Sequence, residues 1–468
     1  MYLPPLGIDR EIVATWDYRK SLLRERIGLI DADVVCLQEV SPLSFETDFA
    51  FMNDDLGYDG VELFKKGRFC PATFWKKDRV TLAVPPQHKD RTLLTSFRLL
   101  DGGNTQDNNN EYWHVLNCHL QAGKQGGRRL RQIVEGITTA YKTAKNILKG
   151  TFAFAYHLWL PIKYANESCS LICSVNSEED PENIKLICCG DFNGGYECGA
   201  VHYLEKGFVR SDFLEDGEQV TSKEKVLVIP PLIDAVSADS IDRGGNSPPA
   251  TLVVPEIISL MIDQKNAETA YSDPQFSKDV LNRLHRIYNR FATTQAPGSS
   301  DEEPETMRMG KADVERWLTI INRRVGRGTE FRNAAKLMGW DVPSNKCEGD
   351  LLTTKKDERP PIFIPDNGIL TFDNFVSVYL EELRQGKFWG IAWDLATLGE
   401  PLAVKDVFRA RYDRMYCSQS LEPAAVLDTV SDLACPNEFE PSDHLPVCAS
   451  FLQRKDGRLL YNVSRSRT

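Results

Sequence analysis

At 468 residues the chain exceeds a single ordinary hydrophobic core, which calls for a large domain with a second unit or an insertion. Its 42% hydrophobic and 26% charged residues are the mix of a soluble globular protein, and the longest apolar run, TFAFAYHLWLPI (151–162), is too short to span a bilayer. A net charge of −11 argues against indiscriminate binding to polyanions, while leaving a local basic groove open.

The N-terminus lacks the basic region and apolar core of a signal peptide. WDYRKSLLRERIGLI (16–30) then puts Trp16, Leu23, Ile27 and Ile30 on one helical face. DADVVCLQEV follows: a turn, a strand at 34–37 that reads as buried on both faces, and Gln38 and Glu39 at its end. CPATFWKKDRV and EYWHVLNCHL are further strands, separated by the polar loop DGGNTQDNNN. Next comes a long amphipathic helix with Leu130, Ile133, Val134, Ile137, Tyr141 and Ala144 on one side. An apolar insertion at about 150–180 has no readable role. IKLICCGDFNGG (184–195) is a buried strand in which Gly190 permits a tight turn into Asp191 and Asn193. After PPLIDAV and a Gly/Pro-rich loop the pattern is helical from Pro255 to about residue 400. Strand character returns in RARYDRMYCSQ and closes with EPSDHLPVCASF. An α/β domain at 1–254 and 401–455, interrupted by a helical insertion at 255–400 and ending in a tail at 456–468, is the expected organisation.

The twelve cysteines are scattered, and Cys36, Cys118, Cys188, Cys189 and Cys448 lie in strand-like runs where a thiol behaves as a small hydrophobe. The pair in CSLIC has no companion at zinc-site spacing. Reduced thiols point to the cytoplasm or nucleus, where the sequons at Asn166 and Asn462 are silent.

Four strand ends carry polar residues in the same way: Glu39, His119, Asp191 with Asn193, and Asp443–His444. Taken singly, each is a solvated residue, a turn or a cap. Together they place hard oxygen ligands for Mg²⁺ beside an imidazole, with Asp443 adjacent to His444 to orient the ring and favour its protonated form. That is the chemistry of phosphate-ester hydrolysis.

DADVVCLQEV, NCHL, CCGDFN and PSDHLPVCASF, in this order, resemble the endonuclease/exonuclease/phosphatase superfamily with its DNase I-like fold, and WDYR with ATFWKKDRV resembles its deadenylase and nocturnin branch. The resemblance covers about 12–240 and 405–452. It implies a four-layer sandwich of two β-sheets flanked by helices. It also implies a Mg²⁺ or Mn²⁺ ion held by Glu39 with Asp191, Asn193 and His444. Asp191 would align or deprotonate the attacking water, His119 and His444 would contact the scissile phosphate, and Asp443 would orient His444. The family opens with a strand bearing an Asn near the metal. No such strand precedes residue 12: either Met1 is not the true start, or another segment fills the gap, and GRLLYNVSRS (457–466) has the character of such a strand. The chain as written is therefore expected to be poorly soluble and nearly inactive.

Arg128, Arg129 and Arg131 follow His119 closely and, with Lys76 and Lys77, are the candidate contacts to a phosphate or nucleic-acid backbone; the alternative is a solvated helix face. The insertion repeats amphipathic helices in a pattern similar to a pair of EF-hands. Its loops depart from calcium ligation: Phe363 and Pro365 occupy ligand positions, Asn374 replaces the bidentate Glu, and Pro304 interrupts the first loop. Calcium, if bound, would run through Glu302, Asp313, Asp366 and Asn367. A structural module that could dock protein partners is the plainer reading. The functional expectation is a Mg²⁺-dependent 3′–5′ exoribonuclease on single-stranded RNA. The alternatives are a phosphatase of nucleotides or dinucleotides on the same site, or a non-catalytic calcium-responsive scaffold.

Overall fold

The computed structural model describes residues 15–62, 69–100, 111–148, 183–237, 248–263, 274–295, 307–322, 325, 329–340, 362–427, 429–455 and 458–459. The insertion at 151–182, the polar loop at 101–110, Glu302 and most of the C-terminal tail lie outside them. The chain divides into two compact units, Pro255–Phe408 in one and Glu11–Val254 with Arg409–Thr468 in the other.

The larger unit is built on two sheets. In the smaller sheet, β1 (Val34–Val40) and β2 (Tyr58–Glu62) flank β3 (Cys70–Lys76), all antiparallel. The central strand β3 is buried along Cys70–Trp75, as a strand bonded on both edges and covered on both faces must be. Val34, Val35, Cys36 and Leu37 are only half-buried, against the sequence expectation. The reason is position: among the described residues β1 pairs with β3 alone.

The larger sheet has six strands: β4 (Val80–Lys89), β5 (Thr92–Leu99), β6 (Trp113–His119), β7 (Lys185–Asp191), β8 (Ile233–Asp234) and β9 (Asp413–Cys417), in the order β8-β9-β7-β6-β5-β4. Only β6 and β7 run parallel, and the crossover between them contains a long helix, as a parallel pair requires. A hairpin-like pair, β10 (Leu421–Leu427) and β11 (Cys448–Lys455), completes the unit, with Arg458 and Leu459 folding back onto Lys455 and Arg454.

Periodicity explains the layers. Helix α1 (Trp16–Ile30) sets Ile27, with Trp16 and Leu23, against Phe45, Phe49 and Phe74 on the outer face of the small sheet. Between the sheets lie Trp75, Phe97, Val115 and Cys189. On the far face of the large sheet, α2 (Gly126–Leu148) buries Leu130, Ile133 and Ile137, and α3 (Gly199–Lys206) buries Tyr203 and Leu204. The order helix, sheet, sheet, helix is the expected four-layer sandwich.

The smaller unit packs α4 (Lys278–Phe291), α5 (Lys311–Asn322), α6 (Thr329–Leu337), α7 (Phe372–Arg384) and α8 (Phe388–Thr397) around Trp317, Leu284, Phe375 and Tyr379. Phe276, Val280, Leu284, Ile287, Tyr288 and Phe291, spaced along FSKDVLNRLHRIYNRF (276–291), are all buried. Its two loops meet in one antiparallel bridge, Met309 and Leu370, joined by backbone hydrogen bonds of 3.2 and 2.9 Å. The acidic loop residues are otherwise engaged. Asp313 accepts from the Thr293 hydroxyl (2.7 Å) and the Gly310 N–H (3.1 Å). Asp366 is 85% exposed and pairs with Lys311 at 2.6 Å, and Asn367 lies exposed beside it.

Candidate active site

Strand register assembles the site. The parallel β6–β7 pairing sets His119 beside Asp191, and the antiparallel β7–β9 pairing sets Asp413 on the other side of Asp191. Gly190 makes the first approach possible: with φ +125°, a Cβ there would stand 2.1 Å from the Cys118 carbonyl oxygen. Glu39 enters from the small sheet. The β1–β3 register slips between Leu37 and Val40, and Glu39 takes φ +56° within that irregularity. A bulge re-aims the side chain at the point where pairing would otherwise continue. Buried Asn117 holds this strand to the large sheet, accepting from Gln38 (2.9 Å) and donating to the carbonyls of Leu37 (3.2 Å) and Ala72 (2.8 Å).

The side chains converge. His119 Nε2 lies 3.9 Å from Glu39 Oε1 and 3.8 Å from Asp191 Oδ2. Asp191 is clamped by Asn193, whose backbone N–H donates to Oδ1 and whose carboxamide donates to Oδ2, each at 2.7 Å. Asn193 reaches both with φ +48°, a conformation Asn tolerates better than most residues. His444 Nδ1 bonds Asp413 Oδ2 at 2.6 Å. Asp191, Asp413 and His444 each bring one ligand atom to within 4.8 Å of the others, a grouping able to hold a metal ion.

Electrostatics separates the two histidines. Burial, with the charge of Arg91 and of His444, pushes His119 down to about 4, so its ring is neutral at physiological pH. Burial also acts to depress His444, but the charge and hydrogen bond of Asp413, with Asp191 and Asp443 nearby, carry it well above the ordinary histidine range. Its ring is an imidazolium. Asp413 is the counterpart: burial raises it, and His444 together with Thr251 holds it below its usual value. Asp191 is raised to about 7 by burial and by the neighbouring Asp413 and Glu39, against the pull of His444 and Asn193.

Several sequence expectations need correction. Asp443 does not orient His444; Asp413 does, and the Asp443 carboxylate has Ser442 as its hydroxyl neighbour at 3.4 Å. Asp443 lies in a bend before His444, and neighbouring positions in the chain need not bring two side chains together. Arg129 is not a substrate contact: it is buried, paired with Glu215, and bonded to the carbonyls of Gln121 and Gly123. Lys76 pairs with Asp31 at 2.8 Å over the Tyr58 ring, and Lys77 bonds Asn53. Val40 pairs with Cys70 at the Glu39 end, so Lys76 lies six residues down β3, about 20 Å away. Arg128 lies 3.7 Å from Asp90, and Arg131 is exposed. The residue missed was Asp413. Its signal was a carboxylate opening the buried strand DRMYC, where an unused charge would be costly.

The chain is similar to known proteins. The endonuclease/exonuclease/phosphatase family matches residues 10–444. The CCR4-Not complex 3′-5′-exoribonuclease subunit Ccr4 of Schizosaccharomyces pombe is 24% identical over 243 residues, 43% of this chain. That of Candida albicans is 26% identical over 196 residues, 38% of this chain. The matched regions span 32% and 23% of those relatives. Among solved structures, the human nocturnin catalytic domain is 20% identical with a TM-score of 0.31, covering 51% of this chain and 72% of that one. ANGEL2, a 2′,3′-cyclic phosphatase, is 15% identical with a TM-score of 0.42, covering 96% and 89%. The chain belongs to the endonuclease/exonuclease/phosphatase family, hydrolases that act on phosphate esters.

Proposed function

We propose that the chain is a Mg²⁺- or Mn²⁺-dependent phosphodiesterase that removes nucleotides from the 3′ end of single-stranded RNA. The observation that carries the reading is the convergence of Glu39, His119, Asp191 and the Asp413–His444 pair at adjoining strand ends. The similarity to Ccr4 exoribonuclease subunits supports RNA as the substrate class.

The donor set fits a hard divalent ion. Glu39, Asp191 and Asp413 gather three carboxyl groups against one imidazolium, and Asp191 is raised first by burial and then by the charge of Asp413 and Glu39. Glu39 and Asp191, with Asn193 close by, would hold the ion, whose contribution is to neutralise charge on the phosphate, while His444, as an imidazolium, is no ligand to it. The protein's own groups supply the rest. Asp191, fixed by Asn193, positions a water for in-line attack and takes its proton. The His444 imidazolium, held by Asp413, donates to a phosphate oxygen as charge builds there. Neutral His119 offers one N–H to the same phosphate, and its buried Nδ1 has no hydrogen-bond partner among the described residues.

One observation favours a shorter substrate. Arg129 and Lys76, expected to track a nucleic-acid backbone, are engaged inside the protein, which leaves Arg128 and Arg131 as the basic residues near the helix start. The same centre would then act on a nucleotide or dinucleotide. Nine free cysteines among the described residues suit a reducing compartment, the cytoplasm or nucleus. Among the described residues no helix is long and apolar enough to cross a membrane.

The test is hydrolysis of oligo(A), mixed RNA, DNA and a dinucleotide, with Mg²⁺ and with EDTA. The expected result is metal-dependent, stepwise release of mononucleotides from the RNA 3′ end. Hydrolysis of the dinucleotide alone would replace the exoribonuclease with the small-substrate phosphatase, and hydrolysis of none would overturn both.

A further inference from the structure

The segment that carries Asp191 and Asn193 continues past the site alongside β9: the N–H of Phe192 donates to the carbonyl of Tyr412 at 2.9 Å. After Gly194 and Gly195 comes Tyr196, a residue 54% exposed. One side of its ring is backed by cations. The guanidinium carbon of Arg414 lies 4.6 Å from the ring centroid and that of Arg411 lies 5.9 Å from it. Tyr196 follows Asp191 by five residues, so their Cα atoms are at most about 18 Å apart.

The charge beneath the ring is poorly balanced. Arg414 is fully buried, and its Nε and Nη1 find no hydrogen-bond partner among the described residues. Its Nη2 reaches the Arg411 carbonyl at 3.4 Å, and the nearest carboxylate oxygen, on Asp234, is 4.0 Å from Nη1. That carboxylate already accepts from Arg411 at 2.7 Å and from the Val236 N–H at 3.1 Å. Two guanidinium groups thus share one carboxylate in a chain whose net charge is −11. Arg414 pairs with Gly190 in the β7–β9 ladder, one step beyond the Asp413–Asp191 pair, and so sits on the opposite face of the same sheet end.

We infer that Tyr196 is a nucleobase-stacking platform, backed by Arg411 and Arg414, that holds a nucleotide flanking the one being cleaved. The inference rests on the reading of the adjoining centre as a nucleic-acid phosphodiesterase. An exposed aromatic ring at the same sheet end as the reacting residues gives a base a flat partner. The cations behind it fix the ring and attract the phosphodiester backbone. A tyrosine retained only to cover Arg414 would be a buried residue, whereas Tyr196 is exposed.

The experiment compares wild type, Tyr196→Ala and Tyr196→Phe in the full chain. Equilibrium binding of a fluorescent oligo(A), and of an abasic oligomer of equal length, is measured in EDTA so that nothing is hydrolysed. Hydrolysis of bis(p-nitrophenyl) phosphate, which carries no base, is followed with Mg²⁺. Tyr196→Ala should weaken oligo(A) binding about 10-fold. It should leave abasic binding, bis(p-nitrophenyl) phosphate turnover and the melting temperature unchanged, and Tyr196→Phe should match wild type. Equal oligo(A) binding by Tyr196→Ala and wild type overturns the platform, as does an equal loss on the abasic oligomer. The binding difference without any RNA hydrolysis supports the platform while overturning the exoribonuclease reading, so the two failures are distinct.

Discussion

Each of the two units contains a carboxyl group lifted far above its ordinary range, and their surroundings differ. Asp191 is raised to about 7 and Asp394 to about 8, in both cases chiefly by burial. Their exposures, 7% and 8%, do not separate them. Company does. Asp191 faces a neutral histidine, an imidazolium and Asn193, whose backbone N–H and carboxamide each fix one of its oxygens. Asp394 stands near Glu330 and Glu382, with the Tyr379 phenol as hydrogen-bond partner, while Lys387 is bonded to Glu382 and Thr329. A perturbed acid marks a reaction centre only when proton carriers and an approach to substrate accompany it. By that measure the strand ends of the sandwich are poised for chemistry, and the helical unit uses its acids internally.

The sharpest way to break the contrast is to neutralise the acids at the strand ends of the sandwich. Glu39→Gln and Asp191→Asn should each lower turnover by about 10²-fold or more, because charge placed at the reacting centre is a leading catalytic contribution. Asp413→Asn should fall as far by freeing His444, while Asp443→Asn should stay within about 3-fold of wild type. Steady-state kinetics decides, and comparable losses at Asp413 and Asp443 would undo the assignment of the pair.

The next largest effect is on stability. Arg129→Met leaves Glu215 buried without its partner and should cost about 3–5 kcal/mol in denaturant unfolding. Arg128→Ala with Arg131→Ala should leave stability alone and reduce the salt slope of RNA binding by about 1–2. A near-wild-type Arg129→Met would return that residue to the substrate surface.

Asp394 tests the helical unit through pH. Its folded value, about 8, lies above the ordinary 3.8, so the folded state keeps a proton that the unfolded chain releases. The stabilisation is complete below about pH 4 and is lost as pH rises toward 8. Calorimetry should therefore show a flatter decline of Tm with pH in Asp394→Asn than in wild type, with RNA turnover unchanged. A change in turnover would join the two units functionally. The smallest effect expected is none: micromolar calcium added to the full chain should give no saturable heat. Saturable binding abolished by Asp313→Asn would show that the Asp313 hydrogen bonds give way to an ion.

How much of this was legible in the sequence follows from how local each feature is. Strand-end motifs are local, so Glu39, His119, Asp191, Asn193 and His444 could be named from short strings, and helical period picked out Ile133 and Ile137. Asp413 could not, because its role depends on a pairing between segments more than two hundred residues apart. The basic residues failed for a related reason. A charge run shows that cations are present and says nothing of which one finds a buried Glu215 or lies at the far end of an antiparallel strand.

The single parallel pair in the large sheet, with β9 beside it, also governs how the protein is made. When Asp191 leaves the ribosome, β6 already exists to receive β7, but the other edge of β7 has no partner until Asp413–Cys417 is synthesised. At ordinary elongation rates that wait is about 10–40 s. Throughout it an apolar strand containing Cys188 and Cys189 presents an open edge, the kind of template that recruits other chains. The catalytic centre is thus completed late in synthesis, and the nascent chain's hazard and its eventual chemistry lie on the same strand.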